Sequence, residues 1–290
     1  MITGCLTALI TPFRNGEIDL EALGKLVESQ IAAGVHGLVP CGSTGESATL
    51  SHEEHITVVR EVVRLARGRV PVVAGTGSNS THEAIRLTRA AEEAGAQAAL
   101  LISPYYNRPT QDGIYQHYAA VAEATRLPIL VYNIPVRTAS NILPETIVRL
   151  SRIPNVAGVK ESSGSLAQAI EIAAGAGPDF AIYAGDDILT LPIMAAGGVG
   201  VISVTANLAP RRMVELTDAL AAGDLARARM LLAGLLSLIQ STSLEVNPIP
   251  VKTALALMGQ CRDEFRMPLT PMTSPNRTRL EAVLRDHGLL

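Results

Sequence analysis

The sequence has 290 residues, of which 48% are hydrophobic and 18% are charged, a composition that excludes a disordered chain. Its 24 basic and 27 acidic residues give a net charge of −3, and without a basic surplus we expect no nucleic-acid partner. The cysteines Cys5, Cys41 and Cys261 have no paired spacing and predict a reducing compartment, most simply the cytoplasm. Residues 188–210 carry no charge, but their prolines and glycines favour a buried helix-to-strand passage, so we expect no membrane association.

Eight short apolar segments predict parallel strands that are buried on both faces. They cover residues 3–10, 37–40, 70–74, 98–102, 129–132, 156–160, 181–183 and 200–204. Amphipathic segments between them predict helices, among them 20–33, 53–66, 81–94 and 115–125. Eight strand–helix units over about 220 residues predict a (β/α)8 TIM barrel. A doubly wound sheet is the alternative, but the G-x-G-x-x-G that should follow its first strand is absent.

The strand pattern ends near Gly223, and the remaining chain has a helical pattern. Segments 224–240, 249–259 and 275–289 predict three helices, with Asp224 as the N-cap of the first. We therefore expect a barrel over residues 1–223 that carries the active site, followed by a C-terminal helical appendage over residues 224–290.

Catalytic groups of a barrel lie at the C-terminal ends of its strands and in the loops that follow. Lys160 ends an otherwise apolar predicted strand. Inside a barrel such an amine loses hydration and becomes a nucleophile toward carbonyl groups, whereas a strand-end lysine can also extend into solvent. Tyr132 ends the preceding strand and is either a proton carrier beside that amine or a packed core tyrosine. Arg137 follows in a loop, where it suits a carboxylate ligand or ordinary solvation.

Other strand ends leave further interpretations open. The glycines and hydroxyls of residues 41–47 are suited to hold a carboxylate or a phosphate, and the glycines at 197–200 offer a second possible phosphate site. Asp186 and Asp187 could bind Mg²⁺, but no further carboxylate cluster accompanies them. His52 and His55 are three residues apart, not four as in a helical zinc motif, so we predict no metal site.

Several motifs together resemble the class I pyruvate-dependent aldolase family, which includes N-acetylneuraminate lyase. The resemblance runs from residue 3 to residue 290. It is carried by the motifs GSTGE at 42–46, YNIP at 132–135 and GVKE at 158–161. Further motifs point to the branch that condenses pyruvate with L-aspartate 4-semialdehyde in lysine and diaminopimelate biosynthesis: PYYNRP at 104–109, IPVRT at 134–138, GDD at 185–187, GVISVTAN at 200–207 and NPIPVK at 247–252.

The resemblance implies a lyase that works through a covalent pyruvate imine on Lys160 and needs neither metal nor organic cofactor. Tyr132 is then the proton donor and acceptor. Thr44 links Tyr132 to Tyr106, which arrives from a neighbouring subunit. The resemblance also implies a homotetramer arranged as a dimer of dimers.

The resemblance assigns further residues to substrate binding. Ser43 and Thr44, with the backbone of Ile202, hold the carboxylate of pyruvate. Arg137 binds the carboxylate of the aldehyde, a residue that the sialic acid branch lacks. Two residues border the pocket, Gly185 and Asp186. Ser43 stands where this branch usually has threonine, which leaves a sister aldolase with a different aldehyde or 2-oxo acid as the alternative.

The resemblance also implies inhibition by L-lysine at a dimer interface. The residues at the matching positions are Ser47, Ala48, His52, His55, Asn79, Glu83 and Tyr105. Chemically, Glu83 can pair with an ammonium group, and Asn79 and Tyr105 can bind a carboxylate. The alternative is that these residues merely fill the interface between subunits.

Overall fold

The eight predicted strands form one parallel sheet that curves into a nearly closed barrel. In the computed structural model, which describes residues 1–290, the strands run as follows: β1 Gly4–Ala8, β2 Gly37–Val39, β3 Val73–Gly75, β4 Ala98–Ile102, β5 Ile129–Asn133, β6 Val156–Glu161, β7 Ala181–Ala184 and β8 Gly200–Ser203. Their order in the sheet is β2-β1-β8-β7-β6-β5-β4-β3. The predicted (β/α)8 fold is confirmed.

The barrel closes between β2 and β3 through a short seam. Leu38 forms an isolated parallel bridge with Val72, and its N–H donates to the carbonyl of Pro71 at 3.0 Å. One step further up, the N–H of Gly75 donates to the carbonyl of Pro40 at 2.9 Å. The predicted third strand began at residue 70, but regular pairing starts only at Val73.

Eight helices surround the barrel: α1 Leu20–Ala32, α2 His52–Ala66, α3 Thr81–Glu93, α4 Gln111–Glu123, α5 Pro144–Leu150, α6 Leu166–Ala176, α7 Thr190–Ala195 and α8 Pro210–Ala221. Helix α4 begins four residues before the predicted start at 115, because Thr110 caps it by accepting a hydrogen bond from Gly113 N–H at 3.2 Å. The charge-free segment 188–210 contains α7 and β8. None of the helices combines the length and apolar character that crossing a membrane requires.

Two apolar cores follow from the alternation of side chains along the strands. The smaller core fills the barrel interior and includes Leu100, Leu130 and Ile202. The larger core lies between the strands and the helices and includes Leu101 and Val131. Neighbouring positions of one strand therefore belong to different cores, so a strand register also decides which side chains point into the barrel.

Three helices follow the barrel: α9 Leu225–Ser241, α10 Ile249–Leu257 and α11 Ser274–Asp286. Asp224 caps α9 as predicted, accepting a hydrogen bond from Arg227 N–H at 3.0 Å. Leu235 of α9 and Leu280 of α11 belong to the same apolar core as the barrel helices. That core runs across residue 223, and the division of the chain at this point remains a prediction.

A small hairpin was not foreseen from the sequence. Residues Phe13–Arg14 pair with Glu17–Ile18 in antiparallel fashion. The turn residues Asn15 and Gly16 both have positive φ, and Asn-Gly is a strong local signal for such a turn. The carboxylate of Glu264 accepts hydrogen bonds from the N–H groups of both turn residues, which ties the hairpin to the C-terminal part of the chain.

Candidate active site

A cavity of about 820 Å³ opens at the C-terminal ends of the strands. Residues from β5 and β6 and from the loops after β2, β5 and β7 line it. The structure thus brings together seven of the residues selected from the sequence: Ser43, Thr44, Tyr132, Arg137, Lys160, Gly185 and Asp186. These residues are separated by up to 143 positions in the chain, and the barrel alone makes them neighbours.

Lys160 occupies the penultimate position of β6 and points into the barrel. It lies in register with Tyr132 on β5 and with Tyr183 on β7, and both tyrosines belong to the interior core. Only 5% of Lys160 is exposed, so the alternative of an amine extended into bulk solvent does not fit. Its Nζ lies 4.3 Å from the centre of the Tyr132 ring, within the range of a cation–π contact.

The chain has only three lysines, and their places differ sharply. Lys25 is on the surface of α1 and pairs with Glu21. Lys252 is fully buried against Glu46. Lys160 is therefore the one lysine that lines the cavity, and no other lysine amine is available there for covalent chemistry.

Asp186 gives the cavity an acidic group next to the lysine. Burial raises the pKa of the Asp186 carboxyl, an effect that the charge of Lys160 opposes and that of Asp187 reinforces. Asp187 differs from Asp186 because one of its carboxylate oxygens is already bound within the protein. Its Oδ2 accepts hydrogen bonds from the N–H and the hydroxyl of Thr205, at 2.8 and 2.6 Å. The two neighbouring carboxylates thus have different environments.

Residues 41–47 form the loop after β2, called here the substrate loop. Cys41 and Glu46 take left-handed backbone conformations, with φ of 56° and 52°. Thr11 supports the loop from below, its hydroxyl donating to the carbonyl of Gly45 at 2.7 Å. Ser43 and Thr44 line the cavity between these fixed points, where their hydroxyls can bind a carboxylate.

The predicted relay through Thr44 is not assembled within one chain. The hydroxyl of Thr44 accepts a hydrogen bond from Asn247 Nδ2 at 3.0 Å and has no hydrogen bond to Tyr132. Tyr106 is 89% exposed and does not line the cavity. It follows β4 and has a left-handed backbone, φ 70°. The relay stays a prediction that requires a second subunit.

Arg137 lies in the short helix Pro135–Thr138 after β5. Its Nη2 donates to the backbone carbonyl of Asn247 at 2.8 Å, so one guanidinium edge is engaged and other donors remain for a ligand. Ile202 lies deeper, fully buried in the interior core of β8, and its side chain is not part of the cavity wall.

Asn247 is a cavity residue to which the sequence analysis gave no role. Its amide donates to Thr44 and its backbone carbonyl accepts from Arg137, while its Oδ1 is buried without a hydrogen-bond partner. The NPIPVK motif at 247–252 was the only signal for it in the sequence.

A second cavity of about 490 Å³ adjoins the first. Six of the seven residues assigned to lysine binding line it: Ser47, Ala48, His52, His55, Glu83 and Tyr105. The seventh, Asn79, does not, and its carbonyl accepts a hydrogen bond from Asn107 at 2.8 Å. Ser43, Tyr132, Arg137 and Asn247 line both cavities, so the same side chains form the wall between them.

Two groups of the second cavity, Glu83 and His52, are already paired with each other. The carboxylate of Glu83 accepts from the Ser78 hydroxyl and pairs with His52, and these contacts lower the pKa of Glu83. His55 donates from Nε2 to the carbonyl of Gly75 at 2.7 Å. Burial lowers the pKa of His55. The anionic Glu83 is the group in this cavity that suits an ammonium ligand.

Fold and site together define a (β/α)8 barrel protein with one lysine amine buried at the ends of its strands. The chain belongs to the dihydrodipicolinate synthetase family, whose model matches residues 1–287. This confirms the resemblance that the motifs indicated.

Individual relatives match over the full length. A protein of Nitratidesulfovibrio vulgaris (strain DP4), named 4-hydroxy-tetrahydrodipicolinate synthase, is 54% identical over 289 residues, which cover 99% of each chain. The chloride-inhibited dihydrodipicolinate synthase of Acinetobacter baumannii, solved in complex with pyruvate, is 44% identical with a TM-score of 0.98 and 100% of both chains covered. The enzyme of Cyanidioschyzon merolae, solved with lysine bound, is 37% identical with a TM-score of 0.97, covering 100% of this chain and 99% of that one.

Proposed function

We propose that this chain is a lyase that condenses pyruvate with L-aspartate 4-semialdehyde to give 4-hydroxy-tetrahydrodipicolinate. This reaction belongs to lysine and diaminopimelate biosynthesis. The observation that carries the proposal is the buried amine of Lys160, the one lysine that lines the cavity, against the ring of Tyr132. The family match and the name of the 54% identical relative support the choice of substrates. They favour this reaction over a sister aldolase with another aldehyde.

The chemistry begins when the neutral amine of Lys160 attacks the C2 carbonyl of pyruvate. The carbinolamine loses water and becomes an imine, and loss of a methyl proton from the imine gives an enamine. The enamine carbon attacks the aldehyde carbon of the second substrate, whose amine then attacks the imine carbon and releases Lys160. The protonated imine accepts the electron pair when the methyl proton is lost and again when the substrate amine attacks, and the aldehyde carbonyl accepts it when the carbon–carbon bond forms. We therefore expect the reaction to need no metal or organic cofactor.

The surrounding residues transfer protons and bind the carboxylates of the two substrates. Tyr132 transfers protons during formation of the carbinolamine and loss of water. The hydroxyls of Ser43 and Thr44, with the backbone of Ile202, hold the carboxylate of pyruvate. Arg137 holds the carboxylate of the aldehyde through a charge-assisted pair. Gly185 and Asp186 border the space that the aldehyde enters.

A coupled assay tests the proposal. Turnover of both substrates is followed through an NADPH-dependent reductase that consumes the product, and borohydride reduction with pyruvate traps the imine. With only three lysines in the chain, peptide mass mapping assigns the adduct directly. Lys160→Ala should abolish adduct and turnover, whereas Lys25→Ala should leave both unchanged. An adduct without turnover would redirect the proposal to another aldehyde, and an adduct elsewhere would refute the role of Lys160.

We further propose that the active unit is a homotetramer built as a dimer of dimers, in which Tyr106 completes the site of a neighbouring subunit. Its near-complete exposure supports this. Mixing Tyr106→Phe with Lys160→Ala tests it, because a mixed dimer holds one site with both native residues. Activity that rises on mixing supports the exchange, and activity that stays at the sum of the separate variants contradicts it.

We also propose that L-lysine inhibits the enzyme by binding in the second cavity. The lysine-bound relative of Cyanidioschyzon merolae and the anionic Glu83 in the cavity wall support this. Initial rates at several millimolar lysine and subsaturating pyruvate test it, with Glu83→Gln as the variant expected to lose inhibition. Wild-type rates that do not change with lysine would refute this proposal.

We propose that the protein is cytoplasmic. All three cysteines are free thiols, which supports a reducing compartment.

A further inference from the structure

A buried ion pair outside the catalytic cavity joins the substrate loop to the C-terminal helices, and its carboxylate residue, Glu46, also lines the second cavity. Lys252 Nζ lies 2.6 Å from Glu46 Oε1, and the two side chains are 0% and 1% exposed. The residues are 206 positions apart in the chain. Glu46 is the second of the two substrate-loop residues with a left-handed backbone, and Lys252 lies on α10. Neither residue has a part in the chemistry described above.

The pair is fully enclosed by further contacts. Glu46 Oε2 accepts a hydrogen bond from the N–H of Arg266 at 3.1 Å. Lys252 Nζ lies 4.0 Å from the centre of the Phe13 ring and 5.3 Å from that of Phe265. Both charges therefore have partners, and the aromatic rings exclude water from them.

Stability alone does not explain such a pair. The cost of removing two charges from water cancels much of their attraction, and well-packed apolar residues of similar volume often serve as well or better. Apolar packing does not depend on direction, whereas an ion pair with hydrogen bonds holds the two backbone segments at one distance and one angle. The chain otherwise prefers arginine, with 21 arginines against three lysines, yet the compact ammonium group occupies this site.

A second tie joins the same two segments. Asn247, which immediately precedes Pro248 and α10, donates to the hydroxyl of Thr44 at 3.0 Å. Asn247 and Lys252 thus contact the middle and the end of the substrate loop from one short stretch of chain. The loop that holds Ser43 and Thr44 is fixed from the C-terminal side as well as from the barrel.

We propose that Lys252 and Glu46 are positioning residues, whose ion pair holds the substrate loop so that the hydroxyls of Ser43 and Thr44 meet the carboxylate of pyruvate. The inference rests on the proposed function only in naming pyruvate as the ligand of this loop. It predicts a selective defect: weaker use of pyruvate, with the affinity for the aldehyde unchanged.

The decisive variant replaces both charges by apolar residues of similar length, Lys252→Met with Glu46→Leu. It should remain folded, since no buried charge is left alone. The readout is the pyruvate concentration that half-saturates borohydride trapping on Lys160, which needs no aldehyde and so remains valid if the second substrate is another one. We expect this concentration to rise at least tenfold in the double variant, while the extent of trapping at saturating pyruvate stays at the wild-type value.

A control removes another, more exposed ion pair of the C-terminal region, Arg277 with Asp263, by Arg277→Met alone, which keeps the hydrogen bond from Thr253 to Asp263 on α10. That pair does not contact the substrate loop, so half-saturation should stay at the wild-type value. A folded Lys252→Met, Glu46→Leu variant with wild-type half-saturation would overturn the proposal and leave the pair a purely structural one. If that variant does not fold, Glu46→Asp decides in the same assay, because it keeps both charges together and shortens only the reach of the carboxylate. A wild-type half-saturation in Glu46→Asp would likewise overturn the proposal.

Discussion

Gly185 is the position where one added methyl group should disturb the site most. The residue follows β7, and its N–H donates to the carbonyl of Glu161 at 2.8 Å. A Cβ built there would lie 1.7 Å from Ser162 Oγ, 2.9 Å from Ser162 Cβ and 3.0 Å from the Glu161 carbonyl oxygen. Ordinary contacts of a Cβ start near 3.4 Å, so Gly185→Ala requires both the side chain of Ser162 and the backbone at the end of β6 to move.

The loss in free energy of unfolding depends on which of these clashing atoms can move away from the new Cβ. Ser162 Oγ is buried and has no hydrogen-bond partner, so it can rotate away without breaking a bond. The Cβ of Ser162 and the carbonyl of Glu161 cannot rotate, and overpacking of this kind costs about 1–3 kcal/mol. We expect Gly185→Ala to lower the free energy of unfolding by about 2 kcal/mol, or the Tm by about 4–8 °C.

The same movement should reach the chemistry, because Glu161 is bonded to Lys160. A displacement of reacting groups by about 1 Å can cost a hundredfold in rate, so we expect the rate of imine formation with pyruvate to fall at least tenfold. Borohydride trapping at timed intervals measures that rate, and thermal unfolding measures the stability. Adding Ser162→Gly removes two of the three clashes and should recover at least about 1 kcal/mol in a double-mutant cycle. Strictly additive effects, or a wild-type Tm in Gly185→Ala, would refute the argument.

Two further predictions concern the aldehyde and the pH. Arg137→Ala should raise the KM for the aldehyde about tenfold to a hundredfold, the value of one or two charge-assisted hydrogen bonds, while the pyruvate adduct still forms; steady-state kinetics with either substrate varied checks this, and loss of the adduct would show that the roles are wrongly divided. Burial lowers the pKa of His117 from 6.5 to about 4, and its Nε2 has no hydrogen-bond partner. In the unfolded chain the imidazole of His117 is protonated near pH 6.5, whereas in the folded chain it is protonated only near pH 4. The free energy of unfolding should therefore fall as the pH is lowered from 6.5 to 4. Urea unfolding of wild type and His117→Gln between pH 7 and 4 measures it, and equal slopes for the two would contradict the assignment.

The fold could be predicted from the sequence because its signals are local. Each strand is a short apolar run, and the position of Lys160 and Tyr132 at the ends of consecutive runs already implied that they meet. The Asn15–Gly16 turn was also visible locally, although it was not used.

The remaining features depend on contacts that no local pattern encodes. Glu46 and Lys252 pair across 206 residues, and neither residue type predicts full burial. Asn247 reaches the cavity only because α10 packs beside the substrate loop. Tyr106 is a different case, since the site proposed for it belongs to another subunit and one chain leaves it 89% exposed. Asn79 was matched to the lysine site by position alone, and it does not line the second cavity of the single chain, so its assignment stays a prediction.

The seam between β2 and β3 gives the barrel a preferred place to open. Where the other strands share continuous ladders, this junction relies on an isolated bridge at Leu38 and on the amide of Gly75. The missing side chain of Gly75 lets the Cys41 carbonyl approach, since a Cβ there would lie 2.3 Å from that oxygen. Its own carbonyl receives the His55 ring. Breathing motions of the sheet should therefore start here, at the root of the substrate loop, and amide hydrogen exchange at Leu38 and Gly75 should outpace that of Val131 and Val159 in the continuous part of the wall.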